Sequence, residues 1–157
     1  MTMATARKLD RTKLKRVGIT CFNFNLRKAS RMITRHYDDA LEAAGLRSTQ
    51  FSILAAIARH DSVSLSHLAD LLVMDRTTLS RNLKPLEKMN WIQYARNADR
   101  RKRVLELTPE GWEILGAAFP LWEKAQDALL KRLGEENSRE LLKHVWRFIY
   151  GKRFLDA

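Results

Sequence analysis

The chain has 157 residues, of which 45% are hydrophobic and 30% charged, and its formal net charge is +11. This length and composition predict a single soluble, globular domain with its own core, and no apolar run approaches the length of a membrane span. The only cysteine, Cys21, excludes a disulfide framework and an all-cysteine zinc site within one chain, and it favours a reducing cytoplasm.

The positive charge lies in the first two-thirds of the chain. Residues 1–103 contain 21 Lys or Arg and 9 Asp or Glu, whereas residues 104–157 contain 8 and 9. This asymmetry indicates a polyanionic partner, with nucleic acid as the first candidate and a membrane surface as the second. The alternative is a charged surface that only keeps the protein soluble.

In chain order, residues 1–16 are basic with few apolar residues, which predicts a flexible or partly ordered arm. Apolar residues then recur at three- and four-residue steps from Ile19 to about Ala44, and Gly45 stands where the helix should stop. A second helix is expected to follow, with its N-cap at Ser48 because Arg47 is a poor capping residue.

Two short helices come next, with Ser64 and Asp75 as their N-caps. Only Val73 to Asp75 are expected to separate them, which is typical of a helix-turn-helix.

In the second helix, "DRTTLSRNLKPLE", one stripe is predicted to be buried, formed by Leu79, Leu83 and Leu86. The opposite face suits the major groove and the phosphates of DNA, through Arg76, Thr77, Thr78, Ser80, Arg81 and Lys84. An ordinary solvated helix face is the alternative, and Pro85 is expected to bend the helix beyond these turns.

The segments "WIQYAR" and "RVLEL" predict a two-stranded hairpin with the basic tip "NADRRK" between them, and Asn90 can close the preceding helix. Thr108 as N-cap and Pro109 at the first helical position then predict the start of another helix. Pro120 is expected to kink or interrupt this helix, and Gly134 to end it. A last helix is expected at about residues 136–150.

No motif in the sequence predicts an enzyme. The four histidines show no metal-ligand spacing, and neither a phosphate loop nor a nucleophile elbow is found. We therefore expect no catalytic residues, no metal and no cofactor.

Three stretches taken together resemble the MarR (multiple antibiotic resistance regulator) family of winged helix-turn-helix repressors. They are "GLRSTQFSIL", "LADLLVMDRTTLSRNLKPLEKMNWI" and "DRRKRVLELTPEGWEIL", which span about residues 45–115. The resemblance implies a mainly α fold with a small β-wing and a homodimer on a pseudo-palindromic operator of roughly 15–20 base pairs. It also implies three parts: a basic arm (1–17), a helical dimerisation region from the N- and C-terminal helices (18–46 and 109–157) and a DNA-binding lobe (47–108).

The wing signature of the family is present as Asp99, Arg101 and Arg103. The resemblance implies that Arg101 enters the flanking minor groove and that Asp99 pairs with it and holds it in place. Further wing residues are then candidates for phosphate contacts, namely Arg96, Arg100, Lys102 and Arg103.

The resemblance further implies a repressor that a small aromatic or phenolic effector releases from DNA. We nominate as walls of the effector pocket Cys21, Asn25, His36 and Trp112, with plain packing as the alternative. The segment "TCF" also resembles the hydroperoxide-sensing branch of the family, although Asn25 stands where that branch has a tyrosine. Redox sensing through Cys21 is therefore an alternative function, and a basic protein associated with RNA or the ribosome is another.

Overall fold

A computed structural model describes residues 11–95 and 104–151. Seven α-helices lie within them: α1 Arg11–Thr20, α2 Phe22–Leu41, α3 Ser48–Arg59, α4 Leu65–Leu71, α5 Arg76–Lys88, α6 Pro109–Leu133 and α7 Glu135–Tyr150. Three short strands complete the described part: β1 Val63–Ser64, β2 Ile92–Tyr94 and β3 Val104–Leu107. The expected fold class, mainly α with a small β-wing, is confirmed.

The N-terminal helices differ from the prediction. Instead of one helix from Ile19, α1 begins at Arg11, the helix breaks at Cys21 and α2 begins at the next residue. The part of the predicted arm that the structure describes is therefore helical. At the other end of α2 a short 3-10 turn, Glu42–Ala44, leads to Gly45, whose positive φ of 68° ends the segment where the sequence predicted.

Helix α3 begins differently from the prediction, because its N-cap is Arg47 and not Ser48. The Gln50 Oε1 atom accepts a hydrogen bond from the Arg47 N–H at 2.8 Å. The Ser48 N–H is satisfied from outside the helix, since it donates to Asp38 Oδ1 at 2.7 Å. A carboxylate from the preceding helix thus replaces the missing capping side chain, which no local sequence rule could predict.

The hydrophobic core consists mainly of leucine and isoleucine side chains from α3, α4, α5 and the sheet. The side chains with 0% or 1% exposure include Leu46, Ile53, Leu54, Ile57, Leu68, Leu79, Leu83, Leu86 and Leu105. Burying one such side chain contributes about 1.5–3 kcal/mol relative to leaving it exposed. This cluster fixes α5 against the rest of the lobe.

The sheet has three antiparallel strands in the order β1-β3-β2, where the sequence predicted two. Strands β2 and β3 pair with Ile92 opposite Leu107 and Tyr94 opposite Leu105. The additional strand β1 has only two residues, too few for a period-2 pattern, and it pairs Val63 with Leu105. Through β1 the residues just before α4 are hydrogen-bonded to the base of the wing.

The start of α6 is packed closely against the residue that precedes β2. The Thr108 hydroxyl accepts from the Gly111 N–H at 3.0 Å, as expected of an N-cap, and it donates to the Asn90 carbonyl. A Cβ atom on Gly111 would lie 1.9 Å from the Trp91 carbonyl oxygen. Only glycine therefore permits this approach of the two backbones.

Helix α6 runs without interruption through Pro120 to Leu133 and ends at Gly134, so the predicted interruption is wrong. Pro120 is exposed and removes one hydrogen bond, to Gly116. Buried side chains on both sides of it hold the helix in place, namely Leu115, Ala118 and Ala125. Helix α5 likewise continues through Pro85 to Lys88.

Helix α7 is strongly amphipathic and leaves large apolar side chains exposed. The exposed set includes Leu141, Leu142, Trp146, Phe148 and Ile149. None of the helices in residues 11–95 and 104–151 combines the length and the apolar character needed to span a membrane.

Candidate nucleic-acid interface

Helices α4 and α5 form the predicted helix-turn-helix. The Ser64 hydroxyl caps α4 by accepting from the His67 N–H at 3.2 Å. A four-residue turn follows, in which Val73 has a positive φ of 51° and the Met74 N–H donates to the Ala69 carbonyl at 2.9 Å. A β-branched residue is strained in this left-handed conformation, so the tertiary packing of the two helices must hold the turn in place.

Helix α5 has one buried face and one exposed face, as the sequence predicted. The stripe formed by Leu79, Leu83 and Leu86 is fully buried, each at 0% exposure. On the other side Ser80 is half-buried, and the remaining predicted DNA contacts are exposed, namely Arg76, Thr77, Thr78, Arg81 and Lys84. The structure thus brings all six onto one accessible helix.

The first turn of α5 is capped by Asp75. Its Oδ1 accepts from the Thr78 N–H at 2.9 Å, and its Oδ2 accepts from the Thr78 hydroxyl at 2.6 Å. These two bonds, the hydroxyl bond foremost, lower the pKa of the Asp75 carboxyl below its usual value. The hydroxyl proton of Thr78 is therefore already engaged, which leaves Thr78 only acceptor lone pairs to offer to DNA.

The end of α5 is connected to the wing. The Tyr94 hydroxyl on β2 donates to Glu87 Oε1 at 3.0 Å, and the Asn90 backbone is left-handed with a φ of 56°. The predicted role of Asn90 in closing α5 is confirmed. Glu87 is the only acidic residue of α5 and lies in its last turn, where Tyr94 holds it, while Arg76 and Arg81 occupy earlier turns.

The wing is built from β2 and β3, with Gln93 and Glu106 joined across the strands at 2.8 Å. The last described pairing is that of the Ala95 N–H with the Val104 carbonyl, at 2.9 Å. The predicted wing contacts lie outside the described residues, namely Arg96, Asp99, Arg100, Arg101, Lys102 and Arg103.

Of the nominated effector-pocket residues, Cys21, Asn25 and His36 lie on the N-terminal helices. Cys21 is the half-buried residue between α1 and α2, and its carbonyl accepts from the Asn25 side-chain amide at 3.0 Å. His36 is half-buried on α2. The Asn25 amide thus has a structural partner in the helix backbone.

Trp112 lines an open pocket of about 410 Å³ between α3 and α6. The other lining residues are Ala55, Ala58, Arg59, Leu115, Gly116 and Phe119. Arg59 and Phe119 were not predicted from the sequence, although Arg59 lies one turn after Ala55 and Phe119 two turns after Trp112. The walls are apolar and aromatic, and Arg59 supplies one positive charge.

Within the described residues no group of three or more His, Cys, Asp or Glu side chains is arranged to hold a metal ion.

These observations define a winged helix-turn-helix regulator that binds DNA. The sequence profile of the MarR family matches residues 46–103. The transcriptional regulator HosA of Escherichia coli O111:H- is 32% identical over 97 residues, which cover 60% of this chain and 72% of HosA. The chain belongs to the MarR family.

Solved structures agree with this assignment. The crystal structure of the M. tuberculosis transcriptional regulator MosR in complex with DNA is 34% identical, with a TM-score of 0.70 over 78% of this chain and 92% of that one. A mutant MarR from E. coli complexed with operator DNA is 20% identical, with a TM-score of 0.76 over 84% of this chain and 96% of that one. At that identity the second comparison concerns the fold alone.

Proposed function

We propose that the protein is a homodimeric repressor that binds a pseudo-palindromic operator in the cytoplasm and is released by a small aromatic effector. The observation that carries this proposal is the arrangement of α5, whose exposed basic and hydroxyl side chains lie opposite a fully buried leucine stripe. The structural relative CouR is described as a transcriptional repressor bound to a 23-mer DNA duplex.

In this proposal α5 enters the major groove with its N-terminal turns. Arg76 and Arg81 bind guanine or phosphate, and Thr77 and Ser80 reach base edges. Lys84 neutralises a phosphate further along the helix. In the wing, Asp99 orients Arg101 toward the minor groove, while Arg96, Arg100 and Arg103 are candidates for backbone contacts.

The dimer is proposed from the exposed apolar side chains of α7. Leu141, Leu142 and Trp146 are 50%, 49% and 47% exposed, and Ile149 lies on the same face. A contiguous apolar surface of this kind is rarely left open to water on a small monomer. Leu142→Glu should therefore yield monomers in sedimentation experiments and reduce operator affinity, whereas the nearby surface change Lys143→Glu should do neither.

The effector is proposed to bind at the pocket beside Trp112. The pocket volume of about 410 Å³ suits a small aromatic molecule, and Arg59 could pair with a carboxylate or phenolate on it. Trp112 follows Gly111, whose backbone contacts Trp91 at the base of the wing. A ligand that displaces the first turn of α6 would therefore also displace the wing.

The deciding experiment is a gel shift with genomic fragments in the presence of competitor DNA. We expect selective retention of a few fragments that share a palindrome. Arg76→Ala combined with Arg81→Ala should abolish this selection, while Lys131→Ala with Arg132→Ala, which also removes two charges, should preserve it. Equal affinity for all fragments, or stronger binding to RNA, would contradict the proposal and favour an RNA-associated protein.

A second candidate function is redox sensing through Cys21. The observation that favours it is the position of this half-buried thiol at the break between two helices, where Lys15, Arg16 and Arg27 are near in sequence. Peroxide should then weaken operator binding by the wild type and leave Cys21→Ser unaffected. Identical responses of the two proteins would exclude the sensor.

A further inference from the structure

The stretch from Arg11 to His36 carries a concentration of positive charge that the helix-turn-helix does not use. It contains eight Lys or Arg and no Asp or Glu, whereas α5 contains four Lys or Arg and one Glu. Half of the eight lie on α2, and all of these are exposed: Arg27, Lys28, Arg31 and Arg35.

On α2 the basic side chains share one face. Arg27, Arg31 and Arg35 follow each other at four-residue steps, so each lies about one turn above the last, and Lys28 borders this row. The apolar residues recur on the opposite side of the helix, namely Phe22, Leu26, Ala29 and Ile33. We call the row of Arg27, Lys28, Arg31 and Arg35 the α2 basic face.

Like charges at four-residue steps destabilise an isolated helix. From Arg11 to His36 the sequence provides no carboxylate that could relieve the repulsion between Arg27 and Arg31. The Lys28 ammonium lies 5.8 Å from the centroid of the Phe24 ring, and this cation–π contact keeps it at the surface of the same face. A partner with regularly spaced negative charges would stabilise this arrangement.

We propose that the α2 basic face is a second surface for duplex DNA, which contacts the phosphate backbone without reading bases. Four residues of helix rise by about 6 Å, so the row presents a positive charge at roughly that interval to the closely spaced phosphates of a duplex. The matching chemistry is therefore a regular polyanion, and duplex DNA is the one that this family of regulators already binds. The surface requires neither an operator sequence nor the dimer.

Duplex DNA is favoured over a membrane surface because α5 of the same chain already carries an exposed face of basic and hydroxyl side chains that suits DNA. A helix lying on a membrane buries its apolar face among the lipids. On α2 the basic side chains would then lie at the level of the lipid headgroups, and the vesicle measurement below distinguishes this outcome from DNA binding.

The test compares two variants with the same net charge. Arg27→Gln/Lys28→Gln/Arg31→Gln removes three of the four charges of the α2 basic face, and Lys131→Gln/Arg132→Gln/Lys143→Gln removes three exposed charges from α6 and α7. Binding to a random-sequence duplex of roughly 40 base pairs is measured by fluorescence anisotropy at increasing NaCl concentration. The slope of log K against log salt is negative, and each lost phosphate contact should reduce its magnitude by about 0.9. The slope of the α2 variant should therefore be smaller in magnitude than that of the wild type by up to about 2.7.

The control variant should keep the wild-type slope. Equal slopes for the two variants would overturn the proposal, because the effect would then come from net charge alone. Binding to vesicles of phosphatidylserine and phosphatidylcholine is measured for the same proteins. If the α2 variant alone loses vesicle binding while its salt slope for DNA is unchanged, the DNA proposal is also overturned. Far-UV circular dichroism checks that each variant is folded. If the triple α2 variant is unfolded, the single variant Arg31→Gln is measured instead, and its salt slope should fall in magnitude by about 0.9.

The operator experiment and the salt-dependence experiment test different surfaces, so the result of one does not decide the other. Random-sequence DNA reports on the α2 basic face even if no operator exists, and the Arg76 and Arg81 variant reports on sequence selection even if the α2 basic face is inert.

Discussion

Replacing Gly111 by alanine should destabilise the protein, although alanine is the better helix former. The added Cβ would lie 1.9 Å from the Trp91 carbonyl oxygen and 2.9 Å from the carbonyl carbon. The contacting atoms belong to the backbone, so no side-chain rotation can relieve the overlap, and the two segments must separate by about 1 Å. Such a shift would also strain the bonds of Thr108 to Asn90 and to Gly111 itself.

The matched control is Gly116→Ala in the same helix, where an added Cβ would meet nothing within 4 Å. In both variants alanine gains about 1 kcal/mol of helix propensity over glycine, so that term cancels in the comparison. Overpacking of a tight site typically costs about 1–3 kcal/mol, and a backbone clash belongs at the upper end. We therefore expect Gly111→Ala to be about 3 kcal/mol less stable than Gly116→Ala.

Urea unfolding followed by far-UV circular dichroism measures this difference directly. Equal unfolding free energies for the two alanine variants would refute the argument, because they would mean that the backbones of α6 and Trp91 do not approach each other as described.

Three further predictions concern single residues. Val73→Asn should raise the unfolding free energy by about 1 kcal/mol, because asparagine tolerates the left-handed conformation of the turn between α4 and α5; a decrease in thermal stability would contradict this. Asp38→Ala should lower the unfolding free energy by about 1–2 kcal/mol, because the Ser48 N–H loses its acceptor. The control is Arg47→Ala, which removes only an exposed guanidinium whose Nη1 lies 3.8 Å from Asp38 Oδ2 and should change stability little. For Asp75 the folded pKa is below the usual 3.8, so its stabilising effect is present above that pH and is lost as the pH falls through the folded pKa. The difference in urea midpoint between the wild type and Asp75→Ala should accordingly shrink on acidification from pH 7, and a constant difference would contradict it.

The features that were predictable from the sequence depend on neighbouring residues. The caps at Asp75 and Thr108 act within three residues of their own helices, and the leucine stripe of α5 follows from helix periodicity. The hairpin after α5 follows from the strand-like segments "WIQYAR" and "RVLEL".

The features that were missed depend on residues far apart in the chain. The Ser48 N–H is satisfied by Asp38, ten residues earlier, and Gly111 is required by the Trp91 backbone. Strand β1 exists because Val63 pairs with Leu105. A one-dimensional pattern does not encode such partners, and for the same reason Arg59 and Phe119 were not predicted to share a pocket with Trp112.

The contact at Gly111 also restricts the direction in which the lobe can deform. Since backbone already meets backbone there, α6 cannot approach the segment before β2 any further, while separation or sideways sliding meets no such barrier. The contact therefore behaves as a mechanical stop that resists compression and permits opening. Forces on the first turn of α6 that push it toward Trp91 would move the base of the wing as one body, and forces in the opposite direction would be resisted by the hydrogen bonds of Thr108 to the Asn90 and Trp91 carbonyls.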